Sequence, residues 1–250
     1  MSLFRPNLSG AMLLAVVGAY AAFASSAAAA VKEDCGYPND SPGRFGPYDY
    51  NERANLPKEI EVVERAHFTP YMEEVALYGF SSRAASSVEE QRGGRELIAG
   101  NLDYTLYAFP NHHKALYAMA AWQLRLRQES MTNYEQLKRG WQFRSAECYF
   151  ERALMYRPND GVVHLVYGVV LHKTGDLTEA ATHYTRAIEL MPTSAEAHYN
   201  LGLVYFDVRD YQKAAQQAAT AYELGYPLPG LRNKLARVGV DVPGAVTASP

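Results

Sequence analysis

GVVHLVYGVVLHKTGDLTEAATHYTRAIELMP, residues 161–192, is the stretch that decides the fold of this chain. Its landmarks recur with a period of 34 residues: Ala146, Ala180 and Ala214 keep that spacing, and so do Ala153, Ala187 and Ala221. Gly168 and Gly202, His164 and His198, and Pro158 and Pro192 repeat at the same interval. A unit of this length cannot bury its apolar face alone, so neighbouring units must stack into a solenoid with a continuous core. Solenoids mostly present a surface to something else, and the chain reads first as a binding protein.

Within one period the order is His164-x2-Tyr167-Gly168-x2-Leu171, then Ala180-x3-Tyr184, then Pro192. The next unit gives His198-x2-Leu201-Gly202-x2-Tyr205, Ala214-x3-Ala218 and a displaced Pro227. The unit before keeps its second half, Ala146-x3-Phe150 and Pro158. This pattern resembles the tetratricopeptide repeat. The resemblance implies an all-α chain: a short α-solenoid of helix-turn-helix repeats, here with an irregular, partly helical N-terminal extension. Gly168 and Gly202 are small where two helices must approach, with Ala180 and Ala214 answering from the second helix. Gly175-Asp176 falls at the turn between helices, and Pro158 and Pro192 separate units. In the first unit, HHKALYAMAAWQLRLRQ (residues 112–128) suits the opening helix, with Met119-Ala120 in place of the Leu-Gly pair. Ala120 to Ala146 is 26 residues where Gly168 to Ala180 is 12, so about 14 residues around SMTNYEQLKRG elaborate this repeat.

Residues 1–30 contain one charge, Arg5, an apolar run from about Ala11 to Ala24, and Ala28-x-Ala30, which suits signal peptidase. This predicts a protein exported to the periplasm of a Gram-negative bacterium, with no membrane span after cleavage. The residues before Cys35 are Lys32-Glu33-Asp34, unlike a lipidation site. Beyond residue 30 the chain holds 23 basic and 27 acidic groups, with no Lys/Arg block. Nucleic acid and anionic membranes are therefore poor partners. Two cysteines remain, and an even count in an exported chain favours one disulfide, Cys35 to Cys148. Such a bridge would tie the N-terminal leader to the second helix of the first repeat.

The expected organisation is a signal peptide (1–30), an N-terminal leader and helical module (31–111), repeats (112–227), a capping helix (228–240) and a flexible tail (241–250). Residues 35–56 are dense in Gly, Pro, Asn, Asp and Tyr, which predicts a packed irregular leader. Helix begins near Pro57, with Ile60, Val63 and His67 able to share a face. Thr69-Pro70 caps a second helix that Gly79 stops. Residues 81–100 read as an exposed connection, Leu102 to Phe109 as a further helix ended by Pro110, and Asn111 as the cap of the next. The module would cover the open end of the solenoid, which otherwise exposes apolar surface.

No His/Cys/Asp/Glu set has structural zinc spacing, and His164 and His198 are explained by packing. His183 is expected to be exposed. Neither a nucleophile elbow, a phosphate-cradling loop nor a zinc-protease helix occurs, so the chain reads as noncatalytic, with no cofactor. What the resemblance implies for function is geometric, because the first helix of each unit lines a concave groove. In this chain that predicts a floor of Leu165, Val169, His172 and Lys173, continued by Glu196, Tyr199, Asn200, Leu203 and Phe206. Such a floor suits an extended peptide or a helix from a protein partner. A different class, an accessory binder of a metal, haem or small ligand at the junction of module and repeats, is the alternative.

Overall fold

The computed structural model describes residues 35–36, 45–79, 88–141 and 143–243. The expected signal peptide and residues 244–250 of the tail lie outside them, and the described residues belong to one unit, Glu33–Pro250. In chain order the helices are α1 (Pro57–His67), α2 (Pro70–Tyr78), α3 (Val88–Ala108), α4 (His113–Glu129) and α5 (Met131–Trp141). They continue as α6 (Ala146–Tyr156), α7 (Gly161–Thr174), α8 (Leu177–Leu190), α9 (Ala195–Asp207), α10 (Tyr211–Glu223) and α11 (Gly230–Arg237). No strand occurs among the described residues.

Single polar side chains start the helices of the second half. Ser145, Asp160, Asp176, Ser194 and Asp210 each accept a hydrogen bond from the first turn of α6 to α10 in order. Each such cap is worth ~1 kcal/mol. Gly175 closes α7 in the left-handed conformation at φ 91°, which a glycine adopts without a steric penalty. The helices then pack in pairs, α7 with α8 and α9 with α10, and α8 lies against α9. Ala180, Ala187, Ala214 and Ala221 are fully buried at these contacts. A β-carbon on Gly168 would sit 2.7 Å from the Tyr184 ring, and one on Gly202 would sit 2.6 Å from Leu231. The small residues of the period are therefore contact points.

The inserted residues of the first unit form a helix of their own. α5 lies between α4 and α6 in sequence and packs on α4, burying Tyr134 against Phe143 and Gln123. Gln123, itself fully buried, accepts from Ala146 N–H at 3.0 Å and donates to Arg144 O at 2.9 Å, fixing the start of α6. One apolar core runs from Phe68 and Val75 through Trp122 and Phe150 to Leu201 and Val204. A second joins α9 and α10 to α11 through Leu231 and Leu235.

α2 and α3 both pack on α4, closing the N-terminal end of the stack. Thr69 caps α2 by accepting from Met72 N–H, and Gly79 ends it at φ 87°. Two expectations need correction. α3 begins at Val88 and runs through Gly93-Gly94, so much of the supposed connection is helix; residues 80–87 lie outside the described set. Ile98, Leu102 and Leu106, four residues apart and at most 2% exposed, bury one stripe of α3, and that burial outweighs the weak propensity of glycine. His112, not Asn111, caps α4: its Nδ1 accepts from Ala115 N–H at 3.2 Å. Asn111 is buried and accepts from Tyr50 N–H at 2.9 Å, while donating to Asp49 at 2.7 Å and Asp160 at 2.9 Å.

This network seats the leader on the repeats. Asn51 reaches Asp160 at 2.7 Å, Arg157 pairs with Asp49 at 2.6 Å, and Tyr48 and Tyr50 pack on Phe109. Cys35 and Cys148 form a disulfide that ties the leader to α6. At the other end Val242, within the expected flexible tail, is buried against α11's cluster.

Candidate partner-binding groove

The first helices of the units, α4, α7 and α9, lie side by side, and α11 takes the place of a further one. Residues spaced by three and four along each helix share its inner face. On α7 these are Val169, His172 and Lys173; on α9 they are Leu203, Phe206 and Asp207. Polar contacts run across this face from helix to helix. Lys173 Nζ on α7 donates to the Tyr117 hydroxyl on α4 and lies 4.9 Å from its ring centroid. His172 Nε2 is 2.8 Å from Asp207 Oδ2, and Lys234 on α11 approaches the other Asp207 oxygen at 3.7 Å. Lys234 also covers the Phe206 ring at 5.1 Å. The face is thus an apolar strip of Val169, Leu203 and Phe206 edged by cations and one shared carboxylate.

Leu165 and Tyr199 are not part of that open floor. Leu165 is 8% exposed inside the main core. Tyr199 is 7% exposed, stacks on Tyr226 at 4.0 Å and accepts from Leu231 N–H at 3.2 Å. Both are covered because a neighbouring first helix, or its substitute α11, packs on that side. Glu196 is exposed at the start of α9 and Asn200 is half-buried. The structure adds Tyr117, Ala121, Leu124 and Arg125 on α4 and Lys234 on α11, which the sequence reading missed. The α4 residues were findable: once Met119-Ala120 is set on the Leu-Gly pair, Ala121 and Arg125 occupy the places of Val169 and Lys173.

A cleft of about 270 Å³ deepens the groove between α2, α4 and α7. Arg125 stands at its edge with its guanidinium donating to Val75 O and Ala76 O, both at 2.9 Å. Another depression, about 600 Å³, lies on the opposite side of α9, where Leu177, Ala181 and Thr182 of α8 face Val204, Tyr205 and Val208.

The histidines serve packing and helix ends. His164 Nε2 donates to Pro158 O at 3.2 Å, and its Nδ1 faces His183 Nδ1 at 2.9 Å. One period on, His198 repeats this with Pro192 O at 3.3 Å and Gln217 at 2.7 Å. His183 is therefore half-buried against His164 rather than exposed, and burial pushes it down to about 4. His112 is fully buried; with Nδ1 occupied, Nε2 donates to Glu64 at 3.3 Å, beside the Tyr50 hydroxyl at 2.8 Å. Those donors hold the Glu64 carboxyl below its usual range, His112 contributing most, while burial lowers His112. Among the described residues no three His, Cys, Asp or Glu side chains could hold a metal ion, and no helix is long and apolar enough to cross a membrane.

The family model described as TPR repeat matches residues 168–208, and the one described as tetratricopeptide repeat matches residues 195–224. No curated protein matches the chain at a significant level. The matched span covers the second half of α7 and the whole of α8, α9 and α10, with the small-residue contacts of Gly168 and Gly202. The repeats at residues 168–224 are tetratricopeptide repeats.

Proposed function

We propose that this protein is an exported, noncatalytic adaptor of the bacterial periplasm that holds a peptide or helix of a protein partner in its concave groove. Repeats of this family serve protein–protein interaction, which sets the general class. The observation that carries the reading is the open inner face, where Val169, Leu203 and Phe206 remain only partly buried while polar groups edge them. Interfaces with an apolar centre and a polar rim have this composition. Among the described residues, α2 and α3 pack at the α4 end, away from that stretch. Export is supported by the sequence of residues 1–30, and a disulfide fits an oxidising compartment.

Affinity capture from envelope extracts tests the reading. Wild-type protein should retain a specific protein that a Phe206→Ala, Leu203→Asp variant loses, with both proteins equally helical. Recovery of the same proteins by both at equal yield would count against groove binding.

A further inference from the structure

We propose that the N-terminal end of the groove receives one bulky apolar side chain flanked by a carboxylate, carried on an extended acidic segment of the partner; this rests on the adaptor reading. The cleft between α2, α4 and α7 is floored by Leu77, Ala121, Leu124 and Val170. The small side chains of Ala120 and Ala121 both line it. At about 270 Å³ it is smaller than the roughly 300–1,000 Å³ pockets that enclose whole small ligands, and it suits a single side chain.

Two cations stand at its edge, Lys173 and Arg125, and none of the described residues lining it is acidic. Both are held in place. Lys173 Nζ is fixed by the Tyr117 hydroxyl and ring, and Arg125 is fixed by two carbonyl oxygens at the end of α2. Glu129 approaches Arg125 at 3.5 Å, yet it also takes Arg95 at 3.0 Å, so one carboxylate is shared by two guanidinium groups. Among the described residues here, Arg95, Arg125 and Lys173 against Glu129, the surplus is positive. A carboxylate beside the buried side chain would meet preset donors, whereas a basic segment would meet like charge. α2, which supplies Leu77, also exposes Tyr71 (52%) and Tyr78 (80%), seven residues apart and so on one face. Exposed tyrosines of this kind are enriched at interfaces and extend the contact beyond the cleft.

The test selects random dodecapeptides displayed on phage against the immobilised full chain. Individual peptides are then measured by fluorescence polarisation on wild type, Ala121→Trp, Lys173→Glu and Phe206→Ala. Selected peptides should carry Asp or Glu next to Leu, Ile or Phe, and should weaken about tenfold or more on Ala121→Trp and on Lys173→Glu. Their binding should also fall as salt rises. Thermal melts check that each variant is folded, and Lys173→Glu changes an exposed residue. Peptides that are basic or neutral, or that bind both cleft variants as tightly as wild type, overturn the proposal. If those peptides still weaken on Phe206→Ala, the adaptor reading stands without it. Selection of no peptide sensitive to any of the three variants removes both.

Discussion

Adding a single methyl group at Gly168 should destabilise the protein although it improves helix propensity. The new β-carbon would lie 2.7, 2.8 and 3.1 Å from Cε1, Cδ1 and Cγ of Tyr184. Tyr184 is 1% exposed and its ring cannot swing into solvent, so α7 and α8 must separate or the ring must leave its rotamer. Overpacking of this kind costs ~1–3 kcal/mol. Against it, alanine in a helix interior is favoured over glycine by ~0.5–1 kcal/mol. Gly140, near the C-terminal end of α5, has no atom beyond its chain neighbours and its own helix backbone within 4 Å of its would-be β-carbon and supplies the reference. There the backbone contribution acts alone, so Gly140→Ala should be neutral to stabilising. Subtracting the two variants cancels the shared contribution and leaves the clash, ~1–3 kcal/mol. For a chain of this size each kcal/mol is ~2–4 °C in Tm. Urea unfolding followed by circular dichroism reads the difference directly. Gly168→Ala equal to or more stable than Gly140→Ala would refute the repeat register on which the groove is built.

Purified oxidised protein should show no reactive thiol in denaturant until reduced, and reduction should lower the urea midpoint. The bridge joins residues 113 apart, a loop worth up to ~4–5 kcal/mol in the chain-entropy model; an unchanged midpoint would contradict the leader's tethering role. Acid should weaken the α7–α8 contact. Burial pushes His164 and His183 down, His183 from 6.5 to about 4, so folding favours their neutral forms. Their contribution is full above pH 6.5 and is lost as pH falls toward 4, where the unfolded chain binds protons that the folded one does not. His183→Gln, which copies Gln217 of the next unit, should flatten the decline in urea midpoint between pH 7 and pH 4.5; an equal decline in both proteins would show that the pair is not responsible. Replacing the cap Asp176 with Ala should cost ~1 kcal/mol, readable as a shifted urea midpoint, because Glu179 N–H loses its acceptor; no change would mean that water substitutes for it.

The repeats were legible because their physics is local and repeated. Each helix from α6 to α10 has its own capping Ser or Asp, and the close contacts are marked by Gly or Ala at a fixed interval. The exposure of the groove was less so. Leu165 and Tyr199 share the inner-face position with Val169 and Leu203 in the periodic pattern, but whether they are covered depends on the next helix along. For Tyr199 that cover comes from α11 and Tyr226, whose placement no period specifies. The N-terminal module was read by turn chemistry, which located Thr69 and Gly79 correctly. It failed at Gly93-Gly94, where long-range burial of Ile98, Leu102 and Leu106 holds a helix through two glycines. Asn111 looked like a cap from its place after Pro110. Its partners Asp49, Tyr50 and Asp160 are distant in sequence, so that role could not be seen until the leader was folded onto the repeats.

A photo-crosslinking amino acid placed at Leu203 on the groove face, and separately at Thr182 on the opposite depression, tests the central claim most directly. Illumination of cells or envelope fractions should give a discrete protein adduct from position 203 and none from position 182. Adducts from position 182 with none from position 203 would contradict the concave groove as the partner-binding surface.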